Sequence, residues 1–428
     1  MRNKIFLIYT IMFLFLFGVT AHASEYRQEI SVGLKYGASA GNSVTVSSQS
    51  GLNVYDAAAG TLLYTAQPDE DVYIEMGSTG FASYNKFDAG GIDKISIQPQ
   101  GEKLINCDGK MYRGYIYAEK RDNGELLVLN YVGTDDYVSS VLGKEMSYTW
   151  PIEALKAQAV CARNFVLTRG SAHKSYGFDV CTSTHCQVYG GVASEHENTR
   201  RAVEETKGIL ARFNGELVGL YFFATSGGQT EDVENVWGSP YGYLKSVEDI
   251  YENPEKASRY KWNVSLTRDE IQQKLETAGV NIGTLNNITI DSTSPSGRVT
   301  KMTFHASGGE HSVKLEKCRS ILGLYSQKFT VSSDSVSALA TTSGSASAPY
   351  FAQSASGIGG VAGYSVLYDN GKMGTVKVNE GSANNYTING NGYGHGVGMS
   401  QWGARGMAEN GFTYDQILKH YFTDIELG

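Results

Sequence analysis

Glu145 and the cluster Cys181-Thr-Ser-Thr-His185-Cys186 are the side chains best suited to do chemistry, and both lie between Gly143 and Gly191. Glu145 follows Val138, Val141 and Leu142 and precedes Met146, Tyr148 and Trp150. A carboxyl among such neighbours sits in a low dielectric, which favours its protonated form near neutral pH. An acid that protonates a glycosidic oxygen needs that property. A lone Glu has no spacing signature, so an ordinary surface or capping role stays open. Two thiolates and an imidazole suit Zn²⁺, which takes four tetrahedral N/S ligands. His173, upstream of Cys181, is the candidate fourth ligand. Adjacent His185 and Cys186 can both ligate only if the backbone turns sharply between them. A Cys181–Cys186 disulfide and free thiols are the alternatives. The expected role of a metal here is structural, because no base stands beside an open coordination position and no HExxH occurs.

Two glycine-rich segments offer binding groups. In Thr225-Ser-Gly-Gly-Gln-Thr-Glu231, Gly227 and Gly228 permit close backbone approach, and Ser226, Gln229 and Thr230 offer hydrogen bonds. A plain tight turn is equally consistent with this run, and no G-x-S-x-G elbow surrounds Ser226. From Asn391 to Ala404, glycine alternates with Tyr393, His395, Val397 and Met399 before Ser400-Gln401-Trp402. Such alternation suits a surface against which another chain or a glycan lies flat, with Gly396 giving access and His395, Ser400 and Gln401 reaching sugar hydroxyls. The run lacks the Gly-Lys-Ser/Thr of a phosphate loop.

The chain has 428 residues and a formal charge of −8. Residues 1–23 have the form of an export signal: Arg2 and Lys4, an apolar run from Ile5 to Val19, and Ala21-His22-Ala23 before Ser24. An uncleaved membrane anchor is the alternative, and no C-terminal sorting tail is apparent. Removal of the signal leaves a charge of about −10. An acidic chain without Lys/Arg clusters is a poor partner for nucleic acid. Five cysteines, an odd number, give no evident disulfide framework. The 28 tyrosines suit strands and would also suit a surface that stacks on sugar rings.

The elements that position these groups form an α+β pattern. Residues 24–100 read as a small β-rich module, with alternation at Ser43-Val-Thr-Val and Asp71-Val-Tyr-Ile-Glu. Residues 101–428 read as the core, with further strands at Tyr112–Ala118 and Glu125–Tyr131. A helix is expected from Pro151, with Ile152, Leu155, Ala159, Ala162 and Val166 at helical spacing. A second helix spans 195–207, and Leu217–Ala224 reads as a buried strand. Thr267-Arg-Asp-Glu starts another helix with a capping box. Strands flank Ser-Pro-Ser-Gly, and a last helix covers Tyr414–Phe422. Residues 331–361 read as a flexible Ser/Gly-rich insertion.

Five segments together resemble the SpoIID/LytB family of bacterial cell-wall proteins. They are Tyr137-Val-Ser-Ser-Val-Leu-Gly-Lys-Glu-Met146, Trp150-Pro-Ile-Glu-Ala-Leu-Lys-Ala-Gln-Ala159, Cys181–Gly190, Ala224–Glu231 with Trp237-Gly238, and Gly394-His-Gly-Val-Gly-Met-Ser-Gln-Trp-Gly-Ala404. The resemblance implies a SpoIID-like fold and a secreted, wall-associated lytic transglycosylase. Its substrate would be peptidoglycan glycan strands stripped of peptide, in wall remodelling or sporulation. Glu145 would serve as general acid and then as base on the muramoyl 6-hydroxyl, leaving a 1,6-anhydro end. The resemblance also implies structural zinc on Cys181, His185 and Cys186, with His173 fourth. Some relatives enhance a wall amidase instead, which makes an amidase a candidate partner. In the lytic reading, Glu145 is expected in a groove floored by 226–230 and 395–401.

Overall fold

Alternation of apolar and polar residues builds the first half of the chain. In Ser43-Val-Thr-Val-Ser, Val44 and Val46 are buried while their neighbours are half-exposed. The computed structural model describes residues 29–83, 86–169, 173–334 and 384–428, together with the backbone of seven short strands within 337–380. The signal expected at 1–23 lies outside the described residues. Of the insertion expected at 331–361, the residues to Asp334 and the backbone of four short strands are described, and the rest lies outside the described residues. No helix among the described residues is long and apolar enough to cross a membrane.

Among the described residues, twelve strands precede the first α-helix: β1 (Glu29–Lys35), β2 (Ser43–Ser47), β3 (Leu52–Asp56), β4 (Leu62–Ala66), β5 (Val72–Gly77), β6 (Gly80–Ser83), β7 (Phe87–Gly90), β8 (Lys94–Pro99), β9 (Leu104–Cys107), β10 (Lys110–Arg113), β11 (Tyr115–Lys120) and β12 (Leu126–Gly133). With β13 (Val180–Cys181) they form a seven-stranded sheet, β13-β1-β12-β11-β8-β3-β4, and a six-stranded sheet, β10-β9-β2-β5-β6-β7. Because β1 pairs with β12 and β8 with β11, the strands between Glu29 and Pro99 share both sheets with those of 104–133. The expected single strand Tyr112–Ala118 is divided at Gly114, and its halves belong to different sheets. Gly114 takes φ +87°, and a Cβ there would lie 1.9 Å from the Tyr131 carbonyl oxygen, so only glycine makes this crossing.

Three helices follow: α1 (Thr134–Glu145), α2 (Ile152–Arg169) and α3 (Glu197–Glu205). Pro151 precedes α2, as its fixed φ favours. Ala154, Leu155, Ala157, Ala159, Val160, Ala162 and Val166 are fully buried, which makes α2 a core helix. Its Arg163 is also fully buried. Nε and Nη2 both reach Asp135 Oδ1 of α1, at 3.0 and 2.9 Å, and Nη2 reaches the Val203 carbonyl at 3.3 Å. Arg163→Met strands that carboxylate and should cost about 3 kcal/mol, toward the low end because Asp135 keeps contact with water. Urea unfolding checks this value. A loss under about 1 kcal/mol would mean that the pair does not hold α1 to α2.

The chain divides into two compact units. One runs to Tyr221 and takes in Gly411–Ile417 and Asp424–Gly428; the other comprises Phe222–Asn410 and Leu418–Thr423. The expected strand Leu217–Ala224 straddles that division. It appears as two short pieces, Glu216–Leu217 and Phe222–Phe223, in different sheets.

In the second unit the capping box forms as expected. Thr267 N–H donates to Glu270 Oε2 at 2.8 Å, and Glu270 N–H donates to Thr267 Oγ1 at 3.2 Å, starting the helix Arg268–Thr277. Ile271 and Leu275 of this helix join Trp262, Leu285, Met302, Phe304, Tyr386 and Ile388 in one core. Two three-stranded sheets frame it: Lys261–Thr267 beside Asn385–Asn391 beside Phe329–Ser333, and Leu285–Thr293 beside Val299–Ala306 beside Gly309–Lys314.

Candidate functional site

Glu145 is the last residue of α1, ahead of the helix that Pro151 introduces. Tyr137, Val138, Val141 and Leu142 bury the inner face of α1, and Asp135 and Asp136 in its first turn suit the helix dipole. Gly143 is sterically required here. A Cβ would lie 1.8 Å from the Ser194 carbonyl oxygen, so the turn Gly191–Ser194 sits directly on the helix backbone. Glu145 is half-buried, and burial raises its pKa above the ordinary glutamate value. Its place at a helix C-terminus acts in the same direction, because the unsatisfied carbonyls there repel a carboxylate. A hydrogen bond from the Val188 backbone N–H opposes both effects and fixes the carboxyl.

Val188 lies two residues beyond the cysteine–histidine cluster. The ligand atoms of His173, Cys181, His185 and Cys186 all lie within 4.8 Å of one another. Cys186 Sγ is 3.4 Å from His173 Nε2 and 3.5 Å from His185 Nδ1, and Cys181 Sγ is 3.9 Å from His185 Nδ1. Tetrahedral zinc with ordinary bond lengths sets such S···N edges at about 3.6 Å. The donor set and its spacing fit Zn²⁺. The sharp turn that both adjacent ligands need is present, with Cys186 N–H donating to the Ser183 carbonyl at 3.1 Å. All five cysteines are free thiols, so a Cys181–Cys186 disulfide is not formed. Burial opposes a second thiolate at Cys186, and the Cys181 charge adds to that. A divalent cation removes both penalties.

The cluster is fastened on both sides. β13 pairs in parallel with β1, Gly33 opposite Cys181, and a Cβ on Gly33 would meet the Phe178 ring at 2.6 Å. Phe178 stacks on His173 at 4.8 Å and 15°. Buried Asp179 accepts from the Ser31 N–H at 2.8 Å and hydroxyl at 2.6 Å. Beyond the cluster, the Tyr137 hydroxyl donates to Gln187 Oε1 at 3.2 Å, and the Tyr189 hydroxyl donates to Asn130 Oδ1 at 2.7 Å. Tyr137 and Tyr189 stack at 5.2 Å. The segment carrying the Val188 N–H is thereby held between the metal ligands and α1.

The glycine-rich segments lie in the second unit. Phe222–Phe223 pairs in parallel with Met399–Ser400, and Thr225 bridges Tyr393. The backbone N–H groups of Ser226 and Gly227 donate to the two carboxylate oxygens of Glu252 at 2.5 and 3.0 Å, and the Ser400 hydroxyl also donates to Glu252. Ser226, Thr230 and Ser400 are fully buried and Gln401 nearly so, while Gln229 Nε2 donates to Ser246 Oγ at 3.2 Å. Glu252 therefore gathers Ser226, Gly227 and Ser400. Nothing in the sequence marks it, because a single Glu in Tyr-Glu-Asn-Pro carries no pattern. Nearby Asp249 is buried, and burial followed by the Glu252 charge raises it to about 7. The alternating glycines take positive φ at Gly392, Gly394, Gly396 and Gly398, and they serve the chain's own packing. A Cβ at Gly396 would lie 2.5 Å from Cζ of buried Arg298, and one at Gly394 would lie 2.6 Å from Phe223 Cβ. Gly228, at φ +98°, accepts no strain-free Cβ either, and its N–H donates to Ser226 Oγ at 2.9 Å. His395 Nδ1 accepts from the Val397 N–H at 3.1 Å, and the Phe222 backbone also bonds its ring. Burial and then the Arg319 charge lower its pKa to about 3, so it is neutral and committed to main-chain groups.

Comparison with known proteins agrees with this arrangement. Residues 122–213, which hold Glu145 and all four metal ligands, match the stage II sporulation protein family, and residues 243–344 match a domain of unknown function (DUF8618). The chain is 27% identical over 413 residues to an amidase enhancer of Bacillus subtilis, covering 87% of this chain and 54% of that protein. It thus spans about half the length of that relative. It is 31% identical to an uncharacterized protein of Brachyspira hyodysenteriae, covering 78% of each. It is also 28% identical to stage II sporulation protein D of Bacillus subtilis, over 68% of this chain and 74% of that one. A metal-type cluster fastened beside the end of α1, within relatives of this breadth, places the chain in the SpoIID/LytB family.

Proposed function

We propose that this chain is an exported protein that engages peptidoglycan glycan strands and promotes the action of a wall amidase. The observation that carries the reading is the similarity to an amidase enhancer along 87% of the chain, far beyond the 122–213 segment. Zinc on His173, Cys181, His185 and Cys186 would be structural: four protein ligands fill a tetrahedral shell and leave no position for substrate. The test is to add the purified chain to a wall amidase acting on intact sacculi. The expected result is faster peptide release without new glycan ends. Absence of both stimulation and sacculus binding would sink the reading.

Glu145 favours a second reading, a lytic transglycosylase. Its half-buried carboxyl has a raised pKa and is oriented by one backbone donor. Such a group can give a proton to a glycosidic oxygen and then take one from the muramoyl 6-hydroxyl. That internal hydroxyl replaces water, so the second carboxylate of a two-carboxylate hydrolase is not needed. Mass spectrometry of soluble products from peptide-free strands separates the readings. Anhydro-ended fragments from the wild type support lytic chemistry, and intact strands from a binding-competent wild type reject it.

A further inference from the structure

The tyrosines of the seven-stranded sheet are not spread evenly. Tyr55 on β3 pairs with Ser96 on β8, Ser96 pairs with Tyr117 on β11, and Tyr115 on β11 pairs with Tyr131 on β12. These side chains share one face of the sheet. The residues between them, Ile97, Ile116 and Ala118, are fully buried on the other face. The Tyr115 and Tyr131 rings stack at 5.1 Å and 4°, and Tyr117 meets Tyr131 edge-on at 5.9 Å.

Around Ser96 this face opens into a cavity of about 490 Å³, lined by Tyr55, Ser96, Gln98, Tyr115, Tyr117 and Tyr131. That volume lies in the range of small-ligand sites. Strand propensity accounts for tyrosine on β11 and β12, but not for the gap. A β-branched or aromatic residue at position 96 would fill it, and the small serine keeps it open between the Tyr55 and Tyr117 rings. Gln98 is exposed at the rim, its Nε2 donating to Ser96 Oγ at 3.0 Å. The lining carries a carboxylate and no cation, and Lys94 beyond it is paired with Glu119 at 3.8 Å. Asp56 belongs to the lining, Tyr115 and Tyr117 donate to Glu29 and Glu119, and no Lys or Arg lines it among the described residues. With Asp56 and no cation in its lining, the cavity offers an anionic polymer no charge partner. A neutral ring with an apolar face and hydroxyl or acetamido edges matches aromatic walls, an amide and a carboxylate.

We propose that this cavity is a glycan-binding site separate from Glu145, taking one or two rings of a β-1,4-linked N-acetylhexosamine chain. The choice of wall glycan as its natural polymer rests on the function proposed above; the neutral-sugar chemistry rests on the cavity alone. The test is calorimetric titration of the full chain with N-acetylglucosamine hexamer and, separately, with wall teichoic acid. Wild type is compared with Tyr117→Ala, Tyr55→Ala and Gln98→Ala, and thermal melts verify folding. The expected result is binding of the hexamer, at least tenfold weaker in each folded tyrosine variant, with no binding of teichoic acid. Gln98→Ala changes an exposed side chain; it should weaken binding several-fold, and it decides the outcome if a tyrosine variant fails to fold. Unchanged affinity in the folded variants, no hexamer binding by wild type, or preference for the polyanion would each overturn the proposal. Amidase stimulation is scored separately, with an amidase and a soluble muropeptide substrate, so its failure would count against the amidase reading and not against this site.

Discussion

Cys181→Ser is expected to empty the metal site and to lower the melting temperature by roughly 10 °C. The substitution keeps the size of the side chain and removes a soft thiolate, leaving three ligands of which His185 is exposed. Structural zinc contributes of the order of 10 kcal/mol to folding in small zinc domains. Here the strand pairing of β13 with β1 and the Asp179–Ser31 bonds retain part of the local order. A loss nearer ~4 kcal/mol is therefore expected, which in a domain of this size corresponds to about 10 °C. Because both thiols must be deprotonated to bind the ion, zinc should be released as the solution is acidified. Elemental analysis of wild type and variant, with melts before and after chelation, measures both effects. One zinc per chain in the variant, or a wild type whose melt ignores chelation, would refute the assignment. A chelated chain should also lose the fixed Val188 N–H, because the metal ligands anchor that segment next to the end of α1.

Glu145→Gln should divide the two functional readings more cleanly than any other change. The amide retains an oxygen for the Val188 N–H but cannot donate a proton as an acid, so lytic activity should fall roughly 10²- to 10⁴-fold, the usual range for a general acid. Amidase stimulation and glycan binding should survive. In the wild type the active form of the acid is protonated. With a folded-state pKa above the ordinary glutamate value, the lytic rate should hold below that pKa and fall as pH rises through it. Stability carries the same sign. The folded state binds this proton more tightly than the unfolded state, so stability declines as pH climbs from the unfolded pKa through the folded one. The Glu145→Gln variant has no such slope, and it should melt no lower than wild type at neutral pH. Equal release of anhydro fragments by wild type and variant would remove Glu145 from the chemistry.

The metal ligands are legible in the sequence because three of them are local, and a thiol–imidazole cluster has few other uses. Only the fourth, His173, rests on proximity alone, and the loop brings it to 3.4 Å from Cys186 Sγ. Helix α2 is legible from Pro151 and a sustained apolar period. Helix α1 is not, since Asp135-Asp136, Ser139-Ser140 and Gly143 interrupt the pattern; the burial that stabilises it comes from Tyr189 and the Gly191–Ser194 turn, distant in sequence. The division at Gly114 is hidden for a related reason. A Tyr-rich run of alternating residues looks like one strand until a carbonyl 1.9 Å from the absent Cβ is seen. Glu252 is hidden more deeply, because two of its partners are backbone N–H groups that leave no mark in the sequence and the third, Ser400, is distant in it.

The strand Phe329–Ser333 and the strand Asn385–Asn391 are antiparallel neighbours, and Ser333 lies directly opposite Tyr386. The chain therefore leaves this three-stranded sheet and rejoins it at adjacent points. Because the two ends of the roughly 50-residue connection are paired neighbours, lengthening or shortening it costs little closure entropy. Changes of length or sequence in that connection leave the pairing of the two flanking strands intact. An experimenter can make such a change, replacing it with a short turn or a foreign tag while the core around Trp262 and Phe304 keeps its register.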